Sequence, residues 1–225
     1  NELNRREFVT GTAAATLSGS LATTVAQAAA ADGNKLKILG FACSPRQGMT
    51  TAKAVQVALE AAQGLDPRIQ VELIDLGGLN IAGWSPNPRA DDFAALLPKL
   101  QDPAVGGLII GSPSYFRSLS ALGKAFLERC GPLREPKMLW ADKPVGVVAV
   151  GGFRNGGQEL VIEQIHSIML CFGMIPVGGR PPAFQGATVL AANDEIGQDA
   201  LGLETARKLG ARVAEAALQA CLKKL

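Results

Sequence analysis

Short, largely apolar runs alternate with stretches of helical period from Lys35 to the end, and this alternation most constrains the fold. The runs "KLKILGFA" (35–42), "IQVELIDL" (69–76), "GGLIIGSP" (106–113), "KPVGVVAVGG" (143–152) and "MIPVGG" (174–179) read as five strands. Between them, a helix is expected over about 50–63, with Ala54, Val55, Ala58 and Leu59 on one face. A second starts near Asp91 and is bent or interrupted at Pro98. Further helices are expected over 120–130, over 156–173 and from about 199 to 224. Apolar strands separated by helices predict a parallel sheet covered on both faces, an α/β doubly wound architecture with strand order 2-1-3-4-5. In such a sheet ligands sit beyond the carboxyl ends of the strands, so the loops after strands one, three and four should share one mouth.

Composition narrows the function. The 225 residues are 48% hydrophobic, enough for one well-cored domain. Twenty-two basic against twenty acidic residues give a net charge of +2, which argues against a nucleic-acid groove and equally against the acidic face of an electron carrier. Cys43, Cys130, Cys171 and Cys221 lie far apart with no C-x-x-C pair, so buried free thiols are expected rather than a zinc or cluster site.

Residues 1–30 differ from the domain expected over 35–225. Arg5 and Arg6 precede Phe8, no charge follows Glu7 until Asp32, and Ala26-Gln27-Ala28 fits a small-residue cleavage site. Asn4-Arg5-Arg6-Glu7-Phe8-Val9 resembles the core of a twin-arginine export signal, implying a periplasmic or otherwise exported protein. The alternatives are a membrane anchor, which makes the leader the only membrane contact, or a small-residue helix packed on the domain.

Three loops carry candidate chemistry. Ser44-Pro45-Arg46-Gln47-Gly48-Met49-Thr50-Thr51 leaves the first strand straight into a helix start, where unpaired N–H groups and the helix dipole favour an anion. Hydroxyls of Ser44, Thr50 and Thr51 with the Arg46 guanidinium complete a phosphate cradle, and Gly48 allows close backbone approach. An ordinary capped turn is the competing reading. Neither G-x-x-x-x-G-K-[ST] nor G-x-G-x-x-G is present, so the pattern suits a monophosphate without magnesium. The second loop, residues 111–118, holds the chain's one tyrosine, Tyr115, beside Phe116, an aromatic pair suited to flank a flat heterocycle. The third, residues 151–158, has four glycines whose N–H groups can meet a ring's polar edge. Together, cradle, aromatic shelf and amide rim describe FMN.

These motifs, "SPRQGMTTAK", "GSPSYFRSLSALGKAFLERC" and "KPVGVVAVGGFRNGGQELVIEQIHSIMLCFGMIPVG", resemble the NADPH-dependent FMN reductase group of the flavodoxin-like fold, closest to its iron-sulfur flavoprotein branch. The resemblance runs from about Lys35 to Gly179. It implies bound FMN, NADPH or NADH as electron donor, and homodimers or homotetramers with FMN near a subunit interface. By motif position Ser44, Arg46, Gly48, Met49, Thr50 and Thr51 would hold the phosphate. Pro113, Ser114, Tyr115, Phe116 and Ser118 would border one side of the flavin, and Gly152, Arg154, Gly156 and Gly157 another. Where the iron-sulfur branch carries a tight cysteine cluster, this chain reads "GLNIAGWSPNPRADDF" without a cysteine, so no iron-sulfur cluster is expected there. Trp84 stands in that segment, either as a cover for a flavin across an interface or as a loop plug.

The expected activity is that of an FMN-dependent oxidoreductase, with the flavin carrying the chemistry and no catalytic side chain required. Amides of the third loop, with Arg154, would stabilise charge on reduced flavin. The alternative is a flavodoxin-like electron carrier fed by a protein partner. His166, the chain's one histidine, falls mid-helix among Ile165, Ile168 and Met169 and reads as structural. A twin-arginine route carries folded proteins, so the flavin would be loaded in the cytoplasm before export.

Overall fold

The computed structural model describes residues 35–222 except Pro88. The twin-arginine-type leader expected over 1–30 lies outside the described residues. Strands β1 (Leu36–Ala42), β2 (Ile69–Asp75), β3 (Val105–Pro113) and β4 (Pro144–Gly151) pair in parallel in the order β2-β1-β3-β4. Two short strands, β5 (Ile175–Pro176) and β6 (Ala187–Leu190), complete the fifth position, so the expected order 2-1-3-4-5 is the one observed. Helices α1 (Thr50–Gln63), α2 (Phe93–Leu100), α3 (Ala121–Arg129), α4 (Gly131–Arg134), α5 (Gln158–Leu170) and α6 (Ala200–Leu222) cover the two faces.

The fifth strand is where the sequence reading needs correction. "MIPVGG" contributes only two strand residues, which pair with Pro144 and Val145 at the start of β4. Gly178, Gly179, Pro181 and Pro182 then carry the chain off the sheet, because a proline has no amide to give a ladder. It returns as β6, pairing with Val148–Gly151 at the carboxyl end of β4. Pro98 lies inside α2 without ending it, and that helix begins at Phe93 rather than at Asp91.

Alternation along the central strands divides the core. Leu39 and Phe41 of β1, Leu108 and Ile110 of β3, and Val145 and Val147 of β4 pack with α2, α3, α4 and α5. Ile38, Ile109, Val148 and Val150 point the other way, into α1 and α6. Covered on both sides, these strands are apolar at every position but Lys37 and Ser112, as a buried parallel sheet favours. An aromatic cluster fills the first layer, with Phe41 5.0 Å from Phe126 and Trp140 5.7 Å from Phe172 between ring centroids. Buried Trp140 donates its indole N–H to Leu100 O at 3.1 Å, so its one polar atom is satisfied. Ala42 pairs with Gly111, Pro113 with Val150, and Gly151 with Leu190, so the carboxyl ends of β1, β3, β4 and β6 sit side by side.

Candidate flavin site

The loop after β1 turns directly into α1. Met49 is the N-cap and offers no side-chain cap, so the first-turn N–H groups have no capping partner from it. Ser44, Thr50 and Thr51 are buried beside this helix start, and Ser44 Oγ accepts the Arg46 N–H at 3.1 Å. Gly48 takes φ +68°, a left-handed conformation that side chains disfavour. Its N–H donates to Asp75 Oδ2 at 2.6 Å, while Asp75 Oδ1 accepts the Gly77 N–H at 2.9 Å. The end of β2 therefore fixes the bend of the loop, a role not expected from the sequence.

The second loop is a tight hairpin. Tyr115 and Ser118 exchange backbone hydrogen bonds of 2.9 and 3.1 Å, and the two residues between them, Phe116 and Arg117, have φ of 51° and 64°. Positive φ at both central positions marks a primed turn, normally made by Asn and Gly. A phenylalanine held there is strained and wholly exposed, and such strain gathers at functional sites. Tyr115 is 40% exposed beside it. Pro113 ends β3 in the buried layer.

The third loop packs against the second. Ser114 Oγ donates to Gly156 O at 2.5 Å, and Arg117 Nη1 to Asn155 O at 3.3 Å. Gly157 has φ +87°, and a Cβ there would lie 2.8 Å from Arg117 Cα, so only glycine permits this approach. Buried Gln158 donates to Phe153 O at 2.8 Å and holds the loop from beneath. Gly152 and Arg154 are exposed, as is Phe153, at 80%. Ser118 Oγ donates to Gln164 Oε1 at 3.0 Å, fastening the hairpin to α5. Beneath all three loops, Ser120 caps α3 by accepting the Gly123 N–H, donates its hydroxyl to Cys43 O, and gives its N–H to Ser112 Oγ.

The three expected loops thus meet at one end of the sheet, and a fourth that the sequence reading missed joins them. Ala192 and Glu195 close a second primed turn after β6, with Asn193 and Asp194 at φ 51° and 60°. Asp194 Oδ1 takes Arg46 Nη1 at 2.6 Å, and Glu195 takes Lys53 Nζ at 3.0 Å. The hydrogen bond to Asp194, with the Tyr115 hydroxyl adding, raises the Arg46 pKa further. An Asn-Asp pair flanked by Ala and Glu was the available signal for this turn. A cavity of about 630 Å³ opens on the far side of the third loop, between α5, β6 and α6. It takes in Arg154 and Gly157 but no residue of the first loop.

The segment "GLNIAGWSPNPRADDF" is organised by carboxylates. Asp91, almost fully buried, receives Arg129 Nη1 and Nη2 and the Ala82 N–H, and Asp92 Oδ2 accepts the Asn80 N–H. Burial pushes the Asp91 carboxyl up, but Arg129 and the backbone N–H groups outweigh it and hold the pKa below the usual value. Trp84 is 69% exposed, with its backbone N–H donating to Glu128 Oε2 at 2.9 Å, so it is not a buried plug. Among the described residues, no group of three or more His, Cys, Asp or Glu could hold a metal ion. Cys43 and Cys130 are buried, and burial pushes the Cys43 thiol up to about 12. His166 has an Nε2 with no hydrogen-bond partner, and burial lowers its pKa.

The sequence profile described as NADPH-dependent FMN reductase matches residues 36–188, about two thirds of the chain and all three expected loops. This chain belongs to that family. It is accordingly an oxidoreductase enzyme, and the family's cofactor fits the residues present: an uncapped helix start, buried hydroxyls and a guanidinium at a glycine bend. Among curated relatives of this family member, an iron-sulfur flavoprotein of Methanocaldococcus jannaschii is 38% identical over 191 residues, covering 80% of this chain and 96% of the relative. An NAD(P)H dehydrogenase (quinone) of Paracoccus denitrificans is 35% identical over 143 residues, covering 61% and 64%. Among solved structures, RosB with a bound 8-demethyl-8-formylriboflavin-5'-phosphate intermediate superposes with TM-score 0.63 at 16% identity, covering 84% and 81%. A flavodoxin-type WrbA-like protein of Agrobacterium tumefaciens superposes with TM-score 0.57 at 20% identity, covering 82% and 98%. These two likenesses carry the fold, a flavodoxin-like one.

Proposed function

We propose that this enzyme binds FMN with its phosphate at the start of α1 and its ring between the 115–118 hairpin and the 151–157 loop. In this reading it passes electrons from NADPH or NADH to a small acceptor of the quinone type. The observation that supports this best is the meeting of the three loops at the carboxyl ends of β1, β3 and β4, the second and third fastened by Ser114 and Gly156, beside a helix N-terminus that carries no side-chain cap. FMN supplies the hydride chemistry when bound. The chain's own residues orient and stabilise. Thr50, Thr51 and the first-turn N–H groups of α1 receive the phosphate, Tyr115 and Phe116 flank the ring, and Gly152 and Gly156 offer backbone groups to its polar edge, with Arg154 adding positive charge. The relative named NAD(P)H dehydrogenase (quinone) supports the choice of donor and acceptor. The lack of a cysteine in residues 78–93 supports electron entry without a cluster in that segment.

The exposed aromatics Trp84, Tyr115, Phe116 and Phe153 favour assembly as a homodimer or homotetramer that covers the mouth. Export through the twin-arginine-type leader, with the flavin loaded beforehand in the cytoplasm, completes the reading. The test is the visible absorption spectrum of the purified chain under anaerobic conditions, before and after NADPH. A flavin spectrum that bleaches is the expected result. One that stays oxidised, but bleaches with a reduced protein donor, assigns a carrier instead, and no flavin after incubation with FMN refutes the reading.

A further inference from the structure

Two carboxylates stand where the first loop would meet a phosphate. Asp75 takes the Gly48 N–H, and Asp194 takes the Arg46 guanidinium. They differ in how firmly they are held. Asp75 ends β2, and its second oxygen is committed to the Gly77 N–H. Asp194 stands on the tip of a separate hairpin, with 60% of its side chain exposed, facing an Arg46 side chain that is 46% exposed. The hairpin does not depend on this contact for its position. Ala192 and Glu195 close it with two backbone hydrogen bonds of 2.9 Å, and Glu195 anchors it to α1 through Lys53.

We propose that Asp194 is the exchangeable counter-ion of Arg46: it holds the guanidinium at the first loop and yields it to the phosphate dianion of the arriving ligand. This rests on the FMN reading above. Asp194 is a positioning residue, acting through Arg46. It opposes phosphate binding twice, by occupying the guanidinium and by placing a negative charge beside an incoming dianion. Ligands without a phosphate do not meet this competition, so Asp194 sets how far the site prefers FMN over riboflavin. A half-exposed ion pair is worth at most about 1 kcal/mol, so releasing Arg46 should strengthen phosphate binding by about two- to fivefold.

The experiment measures dissociation constants of FMN and riboflavin for the flavin-free full chain, by flavin fluorescence, in wild type and D194N. Asparagine tolerates the left-handed turn conformation, so D194N keeps the hairpin. E195Q removes the same charge from the same hairpin and leaves the Arg46 pair in place. The expected result is tighter FMN binding in D194N, unchanged riboflavin binding, and a smaller FMN effect in E195Q. In an R46Q background, the D194N effect on FMN should vanish. Equal weakening of both flavins by D194N, no effect on FMN, or equal tightening by E195Q would overturn the inference and leave the FMN reading standing. FMN binding indifferent to R46Q would likewise overturn the inference alone, whereas wild type that binds neither flavin would overturn the FMN reading and the inference together.

Discussion

Replacing Gly157 with alanine tests whether the second and third loops are built as one unit. Gly157 has φ +87°, and a Cβ would come within 2.8 Å of both Arg117 Cα and Arg117 Cβ. Arg117 Cα belongs to the hairpin backbone, so a side-chain rotation cannot relieve the contact. The left-handed backbone alone costs an alanine about 1 kcal/mol. Displacing the hairpin adds about 1–3 kcal/mol of overpacking. The sum, about 2–4 kcal/mol, corresponds for a domain of this size to a fall in Tm of about 5–15 °C. Gly152 is the internal control, because a Cβ there meets nothing within 4 Å and its φ is not left-handed. G152A should therefore stay within about 0.5 kcal/mol of wild type. Thermal unfolding followed by circular dichroism compares the two variants. Equal stability of G157A and G152A would refute the claim that the hairpin and the glycine loop are in enforced contact.

The Asp91–Arg129 pair should make the protein acid-sensitive. The folded-state pKa of Asp91 lies below its ordinary value, so the stability it contributes is complete above about pH 4 and is lost as pH falls through the lower folded value. D91N should cost about 1–3 kcal/mol near neutral pH and flatten the decline of the urea midpoint as pH falls below about 4, and an unchanged decline would exclude Asp91 as a source. The thiols should react in two classes. Exposed Cys171 and Cys221 should modify rapidly with a chromogenic disulfide at pH 8, and buried Cys43 and Cys130 only on unfolding. A third thiol reacting in the native protein would contradict the burial at the base of the first loop.

Much of the fold was legible because a covered parallel sheet imposes its own composition. Val147, Val148, Ala149 and Val150 meet helices on both sides, so every position is apolar and the strand announces itself. The fifth strand was legible in place and order but not in extent. Its pairing residues are split between Ile175–Pro176 and Ala187–Leu190, each too short for a period to show. The split became visible only through register against the two ends of β4.

The site divides along the same line. By itself the sequence determined which loops share one edge, since a parallel sheet sends the ends of β1, β3 and β4 to the same side, and residue types within a loop are local. Tertiary structure alone decided which partners those groups meet there. Arg46 reaches Asp194 across 148 positions of chain, and Gly48 finds Asp75 across 27. Ser114 meets Gly156 across 42. No local pattern encodes such partners, because hydrogen bonds and ion pairs act at about 3 Å and only the folded sheet brings these residues that close.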